Sequence, residues 1–284
     1  MRPMTVLLVA MLGSLPALAT GQDGNAPDRK AAVPKAPMAI SLDLSSFVGK
    51  DSKPTIAAII GVETPSSETK TPADKRTEKC DVQMSVYGAS ADKPVASQKI
   101  SVGVSLDADE IAYDVFGRVA VPPGHYTVQV VVKTTGDRTG TAGAEIDVPD
   151  FARDRLSASG LMLRATPPTS SGPVGALDDL LSPPPGARRF FSKSDRLAAW
   201  LRVYEGGDSA IEQVRVAARL ASEAGQNIAS ELGRLDAMSF DRARTALYRF
   251  DIPLERLPPG GYVLTVDLSA GGAAVSRVIH VQVR

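Results

Sequence analysis

Apolar and polar residues alternate along most of the chain in short runs, and this period of two predicts β-strands rather than helices. The first run is MAISLDLSSFVG, in which Ile40, Leu42 and Leu44 alternate with polar residues. Six more follow: PTIAAIIGVE, DVQMSVYG, SQKISVGVSL, EIAYDVFGRVAV, HYTVQVVVK and TAGAEIDVP. Seven short strands separated by turn residues are typical of an antiparallel sandwich. We therefore predict one β-sandwich domain over residues 38–151.

A second set of strand runs follows residue 151. It comprises LSASGLMLRA, DRLAAWLRVYEG, AIEQVRVAARLAS, ARTALYRFDIPL, GYVLTVDLS and AVSRVIHVQVR. These predict a second sandwich over residues 152–284, so the expected fold class is all-β, with two tandem immunoglobulin- or fibronectin-like domains. Within the second domain, residues 165–189 hold six prolines together with Gly and Ser. This composition predicts a long surface loop.

One phrase occurs twice: VPPGHYTVQVVVK in the first half of the chain returns as LPPGGYVLTVDLS near its end. Pro-Pro-Gly favours a tight turn in which Gly124 and Gly260 accept a positive φ. Tyr126 and Tyr262 then begin strands whose apolar residues share one face. This matches the tyrosine corner of immunoglobulin-like sandwiches, in which the hydroxyl bonds to upstream backbone. Two domains that end alike explain the repetition; the alternative is coincidence of a common turn.

The pattern between residues 208 and 240 is compatible with two structures. Apolar residues at helical spacing favour a helix: Ile228, Leu232 and Leu235. Clean alternation in VRVAARL instead predicts a strand over residues 211–221, with a hairpin turning at residues 223–226. We keep the strand and leave residues 227–235 open between helix and strand.

The amino terminus has the features of a secretory signal. One positive charge precedes MTVLLVAMLGSLPALA, and small residues at 17–19 suit cleavage after Ala19. A membrane anchor is the alternative, but the run is shorter than the roughly 20 residues that a bilayer span needs. We predict a signal peptide over residues 1–19, a disordered linker over residues 20–37, and an exported chain, periplasmic or extracellular, with no membrane span after cleavage.

Composition narrows the function further. Lys plus Arg and Asp plus Glu each number 32, so no overall positive field favours nucleic acid as a partner. Cys80 is the single cysteine, which precludes an internal disulfide. Its position before a strand run predicts a small buried apolar side chain; a dimer-forming thiol is the alternative.

Groups that could carry catalysis are sparse. His125 and His280 both alternate outward on strands, which is typical of surface positions. No nucleophile elbow, zinc-binding helix motif or phosphate loop occurs. Asp107, Asp109 and Glu110 share one turn and are weak candidates for Ca²⁺ ligands. We predict a non-catalytic protein without cofactor or metal.

An aromatic pair is the candidate for an interaction surface. Trp200 and Tyr204 lie on one face of AAWLRVY, and Leu201 and Val203 on the other. A central strand buried on both faces is the alternative. The predicted function is a protein-interaction or structural module with an unidentified protein partner. Carbohydrate binding or cleavage through acidic loop residues is the other hypothesis.

Three longer segments carry a resemblance to a known family. They are residues 121–163, RRFFSKSDRLAAWLRVYEG and IPLERLPPGGYVLTVDLSAGG. They resemble the carboxy-terminal β-sandwich region of bacterial von Willebrand factor A-related-domain proteins of the acidobacterial type. That family's von Willebrand A domain carries a D-x-S-x-S motif, which this sequence lacks; DLSSF at residues 43–47 has the wrong spacing. The resemblance implies the accessory sandwich region without the metal-dependent adhesion domain.

Overall fold

The computed structural model describes residues 38–49, 51–64, 76–107, 110–135, 138–182 and 184–284. Residues 36–284 form one compact unit. The described part contains β-strands and two short 3₁₀ helices but no α-helix, so the all-β prediction is confirmed. Within it, no helix has the length and apolar character to span a bilayer. The predicted signal peptide and linker lie outside the described residues.

The first seven strands form the first sandwich. Their bounds are β1 (Ile40–Val48), β2 (Pro54–Glu63), β3 (Arg76–Gly88), β4 (Ala96–Leu106), β5 (Ala112–Ala120), β6 (Gly124–Thr134) and β7 (Arg138–Val148). One sheet has the order β1-β2-β5 and the other β4-β3-β6-β7, all antiparallel. Alternate residues of both sheets meet in one core, which includes Ile56, Met84 and Val130.

The remaining strands form the second sandwich. Their bounds are β8 (Ser157–Ala158), β9 (Met162–Thr166), β10 (Ser171–Gly172), β11 (Phe190–Phe191), β12 (Arg196–Tyr204), β13 (Val214–Ser222), β14 (Asn227–Leu235), β15 (Thr245–Ile252), β16 (Gly260–Ala270) and β17 (Ala273–Val283). One sheet has the order β11-β17-β16-β13-β14; in the other, β12 pairs with β15, β8 and β9. β10 is the exception, since it joins the first sandwich beside β5.

Residues 227–235 are a strand, so the hairpin is the correct alternative. Ser222 donates its N–H to Gln226 across the turn, and β14 pairs antiparallel with β13. Leu232, which helical spacing would have placed on a core face, is 86% exposed. Ala229 and Leu235 instead pack against the second core with a period of two. Pairing with β13 therefore outweighs the helix propensity of an alanine-rich segment.

Both tyrosine corners are present. The hydroxyl of Tyr126 donates to the carbonyl of Pro122 at 2.8 Å, and that of Tyr262 to Pro258 at 2.7 Å. Both rings are buried. Gly124 has a φ of 157°, and a Cβ there would lie 3.4 Å from the Tyr126 hydroxyl. Each corner locks the entry of a central strand to the turn before it.

The proline-rich segment, residues 165–189, is more than a surface loop. β10 pairs in parallel with β5 at Asp114 and Val115. Leu177, Leu180 and Leu181 are buried against the outer face of the first sandwich, forming a third apolar cluster with residues that include Phe47, Ile59 and Phe116. The prediction of a plain surface loop was wrong, because the leucines of this segment pack onto an apolar outer face of the first sandwich.

The two sandwiches touch directly. The hydroxyl of Ser45 accepts the N–H of Gly160 at 2.8 Å, and the hydroxyl of Tyr204 accepts that of Val48 at 3.4 Å. Arg189 forms an ion pair with Asp43. These contacts join the sandwiches within one compact unit, while the domain boundary predicted between residues 151 and 152 stays a prediction.

Candidate functional site

The candidate site lies on the outer face of the sheet formed by β9, β12 and β15. Strand register places Met162, Trp200 and Arg249 side by side across the sheet. In the next row of the same face, Arg164 and Asp251 flank Ala198. An open cavity of about 540 Å³ covers this face. We call it the tryptophan cleft; its lining includes Arg164, Asp195, Arg196, Trp200, Arg249, Asp251 and Glu255.

Trp200 is half-buried and lines the cleft. The guanidinium carbon of Arg249 lies 5.0 Å from the ring centroid, within the range of a cation–π contact. The indole N–H is buried and finds no acceptor among the described residues. A buried donor without a partner costs about 1–3 kcal/mol, so an acceptor that reached it would be favoured.

The cleft lining carries three arginines and three carboxylates, but two of the carboxylates pair with arginines outside the lining. Asp251 already binds Arg249 at 2.5 Å. Asp195 lies 3.0 Å from Arg188, and Glu255 lies 3.6 Å from Arg256. Arg164 and Arg196 are the other two arginines of the lining, and the described part of the chain provides no carboxylate within ion-pair distance of either. The cleft therefore combines the Trp200 indole with two arginines, Arg164 and Arg196, that have no carboxylate partner among the described residues.

Tyr204 does not belong to this surface. Its side chain is 3% exposed, and its ring centroid lies 4.6 Å from that of Phe151. Burial raises the pKa of its phenol to about 12. The prediction that Tyr204 contributes to an interaction surface was wrong, because the first sandwich covers this end of β12. Trp200, four residues away, lies beyond that cover.

The acidic turn has a structural partner. The two carboxylate oxygens of Glu110 accept hydrogen bonds from the N–H and the hydroxyl of Ser170, both at 2.7 Å. The N–H of Asp107 donates to the same carboxylate at 3.2 Å. Asp109 lies outside the described residues. Within the described ranges, no three acidic, His or Cys side chains are grouped for a metal. Glu110 thus ties the proline-rich segment to the first sandwich.

Both histidines lie on exposed strand positions, as predicted. His125 places Nδ1 2.7 Å from an oxygen of Asp147, and this hydrogen bond raises the pKa of the imidazole. His280 lines a second open cavity, of about 500 Å³, together with Glu223 and Arg277. Among the described residues, neither histidine forms a hydrogen bond with a hydroxyl or thiol group. Cys80 is 2% exposed, as predicted for a small buried side chain, and burial raises its pKa to about 11.

Sequence reasoning missed a pair of covered carboxylates. Asp114 is 3% exposed, and burial raises its pKa to about 7. It accepts the N–H of Ala187 at 3.3 Å, while Asp43 on β1 pairs with Arg189. Both acids lie on the face that the proline-rich segment covers. The available signal was ALDDLL at residues 176–181, whose leucines require an apolar face to cover.

Comparisons with known proteins give distant structural likeness. No family model and no curated protein matches the chain. A red sea bream transglutaminase aligns at 11% identity and a TM-score of 0.25, covering 86% of this chain and 31% of its own. Dimeric latent PorU from Porphyromonas gingivalis aligns at 11% identity with a TM-score of 0.31. This alignment covers 92% of this chain and 21% of PorU. A two-domain fibronectin type III segment of chicken tenascin aligns at 10% identity with a TM-score of 0.20. This alignment covers 84% of this chain and 97% of the tenascin segment.

The chain therefore spans about a third of the transglutaminase and about a fifth of PorU. The fold class rests on the strand order, the register and the two cores described above.

Proposed function

We propose that this chain is an exported, non-catalytic protein-interaction module, and that the tryptophan cleft binds a carboxylate-bearing segment of a partner protein. The observation that carries the proposal is the half-buried Trp200, which lines an open cleft together with Arg164 and Arg196, two arginines that lack carboxylate partners among the described residues. A ligand that carries carboxylates would supply the missing ion-pair partners of Arg164 and Arg196.

The residue types support a protein ligand. Trp and Arg are the side chains most enriched at the energetic centres of protein interfaces. A guanidinium holds a carboxylate with two parallel hydrogen bonds, which gives orientation as well as affinity. Arg164 and Arg196 lie on adjacent strands at the same end of the cleft, so a short extended segment with two acidic residues could meet both.

The absence of catalysis is part of the proposal. The histidines are surface residues with structural or solvent neighbours, and the Cys80 thiol is buried with a raised pKa. A raised thiol pKa disfavours the nucleophilic thiolate. These placements support binding over bond cleavage.

Export is proposed from residues 1–19, which lie outside the described residues. The resemblance to the accessory sandwich region of von Willebrand factor A-related-domain proteins agrees with an exported chain. Secretion of a fusion of residues 1–37 to a reporter tests it directly: cleavage after Ala19 supports export, and an uncleaved cytoplasmic reporter contradicts it.

Binding of an acidic polysaccharide is a second candidate function. The partly accessible indole of Trp200 suits stacking against a sugar ring, and uronate carboxylates would meet the same arginines. Retardation of the chain in a gel that contains polygalacturonate tests this candidate. Loss of retardation in Trp200→Ala would assign the sugar to the cleft.

The principal test is affinity capture of envelope and secreted proteins by residues 20–284. The comparison is between the natural chain, the double variant Arg164→Glu/Arg196→Glu, and Lys99→Glu, an exposed charge reversal on β4 far from the cleft. A partner retained by the natural chain and Lys99→Glu, and lost by the double variant, supports the proposal. Equal recovery by all three places binding elsewhere and overturns it.

A further inference from the structure

The five-stranded sheet of the second sandwich ends at an exposed edge. β14 is the last strand in the order β11-β17-β16-β13-β14 and pairs only with β13 among the described strands. Its 9 residues are nearly all exposed. The backbone N–H and C=O groups on its outer side therefore have no ladder partner in the described part of the chain. Such an edge accepts an added strand from another chain.

Three arginines crowd the outer face beside this edge. Arg215 on β13 and Arg234 on β14 are direct cross-strand partners. Arg219 projects from the same face of β13, two rows away. Like charges directly opposite each other destabilise a sheet. The described residues place no carboxylate within ion-pair distance of any of the three, although Asp267 lies in register with Ala217 between them.

Apolar side chains complete the surface. Leu232 is 86% exposed on the arginine face of β14, where it lies in register with Ala217. Ile228, at the bulge that begins β14, is 37% exposed. A shallow cavity of about 620 Å³ lies beside Leu232 and includes Ala217 and Val275 in its lining.

Edge strands are commonly protected by proline, bulges or inward-pointing charge. β14 contains no proline, and its bulge lies at Ile228, next to the turn. Glu231 faces inward, where it accepts a hydrogen bond from the Tyr248 hydroxyl at 3.0 Å. Residues 229–235 therefore keep a regular, unbulged edge.

We propose that β14 is a docking edge for an extended acidic segment of a partner protein, which adds to the sheet as a sixth strand. Its backbone would complete the ladder of β14. Its acidic side chains, two residues apart, would lie on the same face as Arg234, Arg215 and Arg219, and its apolar residues would cover Leu232. This surface is distinct from the tryptophan cleft, which lies on the other sheet of the same sandwich.

The probe is a fluorescein-labelled peptide as long as β14, with glutamate at alternate positions and threonine or valine between them. Anisotropy titration on residues 20–284 measures its dissociation constant. Arg215→Glu/Arg234→Glu is expected to weaken binding about tenfold or more, since reversal turns attraction into repulsion. Arg242→Glu, an exposed reversal in the turn before β15, serves as the matched control and should leave binding unchanged.

Two further measurements separate strand addition from general charge attraction. An N-methylated peptide of the same sequence keeps its charges but loses ladder donors, and it should bind about tenfold more weakly to the natural chain. A lysine-for-glutamate peptide should not bind. The titrations are repeated in Arg164→Glu/Arg196→Glu, whose tryptophan cleft no longer offers arginines to a glutamate peptide, so binding there reports on β14 alone and failure here is independent of failure at the cleft. Equal binding of the N-methylated and parent peptides, or no binding of the parent, overturns the proposal.

Discussion

The hydroxyl of Tyr262 donates a hydrogen bond of 2.7 Å to the carbonyl of Pro258, and the first sandwich repeats this bond from Tyr126 to Pro122. Both bonds span four residues and close a turn onto the start of a strand through a buried ring. The repeated turn phrase in the sequence thus corresponds to one physical device used once in each sandwich.

Replacing Tyr262 by Phe should lower the free energy of unfolding by about 1 kcal/mol, because the Pro258 carbonyl loses its donor while the ring keeps its packing. Tyr126→Phe should do the same. Urea unfolding followed by circular dichroism measures both. Tyr87→Phe is the matched control, since no hydrogen bond of its hydroxyl stabilises the described fold; a loss of equal size there would contradict the corner as the cause.

Leu177→Ala and Leu180→Ala should each destabilise the chain by about 2–5 kcal/mol. Both side chains belong to the proline-rich segment and are nearly fully buried against the outer face of the first sandwich. Val174, which lies in the same segment and is 97% exposed, supplies the control: Val174→Ala should leave the unfolding midpoint unchanged. Equal, small effects at all three positions would mean that the segment is not docked.

Asp114 should make stability depend on pH. Its pKa is raised from 3.8 to about 7 by burial, so the folded chain holds a proton that the unfolded chain releases between these values. Stability from this group is therefore highest below about pH 4 and falls as pH rises towards 7. Above about pH 7, the neutral variant Asp114→Asn should be more stable than the natural chain. Its free energy of unfolding should be higher by a few kcal/mol, on the order of the cost of ionising the buried carboxyl, and its urea midpoint should be higher.

The same variant should also reduce the slope of stability against pH between these limits. Asn keeps an oxygen that accepts the Ala187 N–H, so geometry is preserved while ionisation is removed. A variant that is destabilised at every pH, or that keeps the full slope, would show that Asp114 is not the titrating group. Asp195→Asn is the control variant. It removes a partly exposed carboxylate that pairs with Arg188, and so measures the effect on stability of losing a carboxylate outside the buried site.

Cys80 should resist thiol reagents in the folded chain. It is buried, and its pKa is raised to about 11, which suppresses the reactive thiolate. Labelling by a maleimide should be complete in urea and very slow in buffer. Rapid labelling in buffer would contradict the burial, and a disulfide-linked dimer on a non-reducing gel would favour the dimer-forming thiol.

The strands and their inward residues could be predicted because a period of two is a local signal. Tyr126, Val128 and Val130 alternate with polar residues, and the structure buries all three. The corners could be predicted too, since a turn, a glycine and a tyrosine lie within a few residues of each other. Such features depend on neighbours in the sequence.

The features that escaped prediction depend on distant segments. Tyr204 is buried because Phe151 and β1 of the first sandwich cover it, and alternation along β12 carries no information about that cover. Asp114 is buried because the proline-rich segment, which includes Ala187, covers its face of β5. The choice of strand over helix for β14 likewise came from pairing with β13, which propensity alone does not encode.

Trp200 is the single tryptophan, so its fluorescence reports on the tryptophan cleft alone and gives the most direct test of the proposed function. The measurement is quenching by iodide and by caesium at equal ionic strength. We expect both ions to reach the indole and iodide to be the stronger quencher, because Arg164 and Arg196 attract anions. This preference should be lost in Arg164→Glu/Arg196→Glu. A blue-shifted emission that neither ion quenches would mean a sealed indole and would contradict a ligand cleft at Trp200.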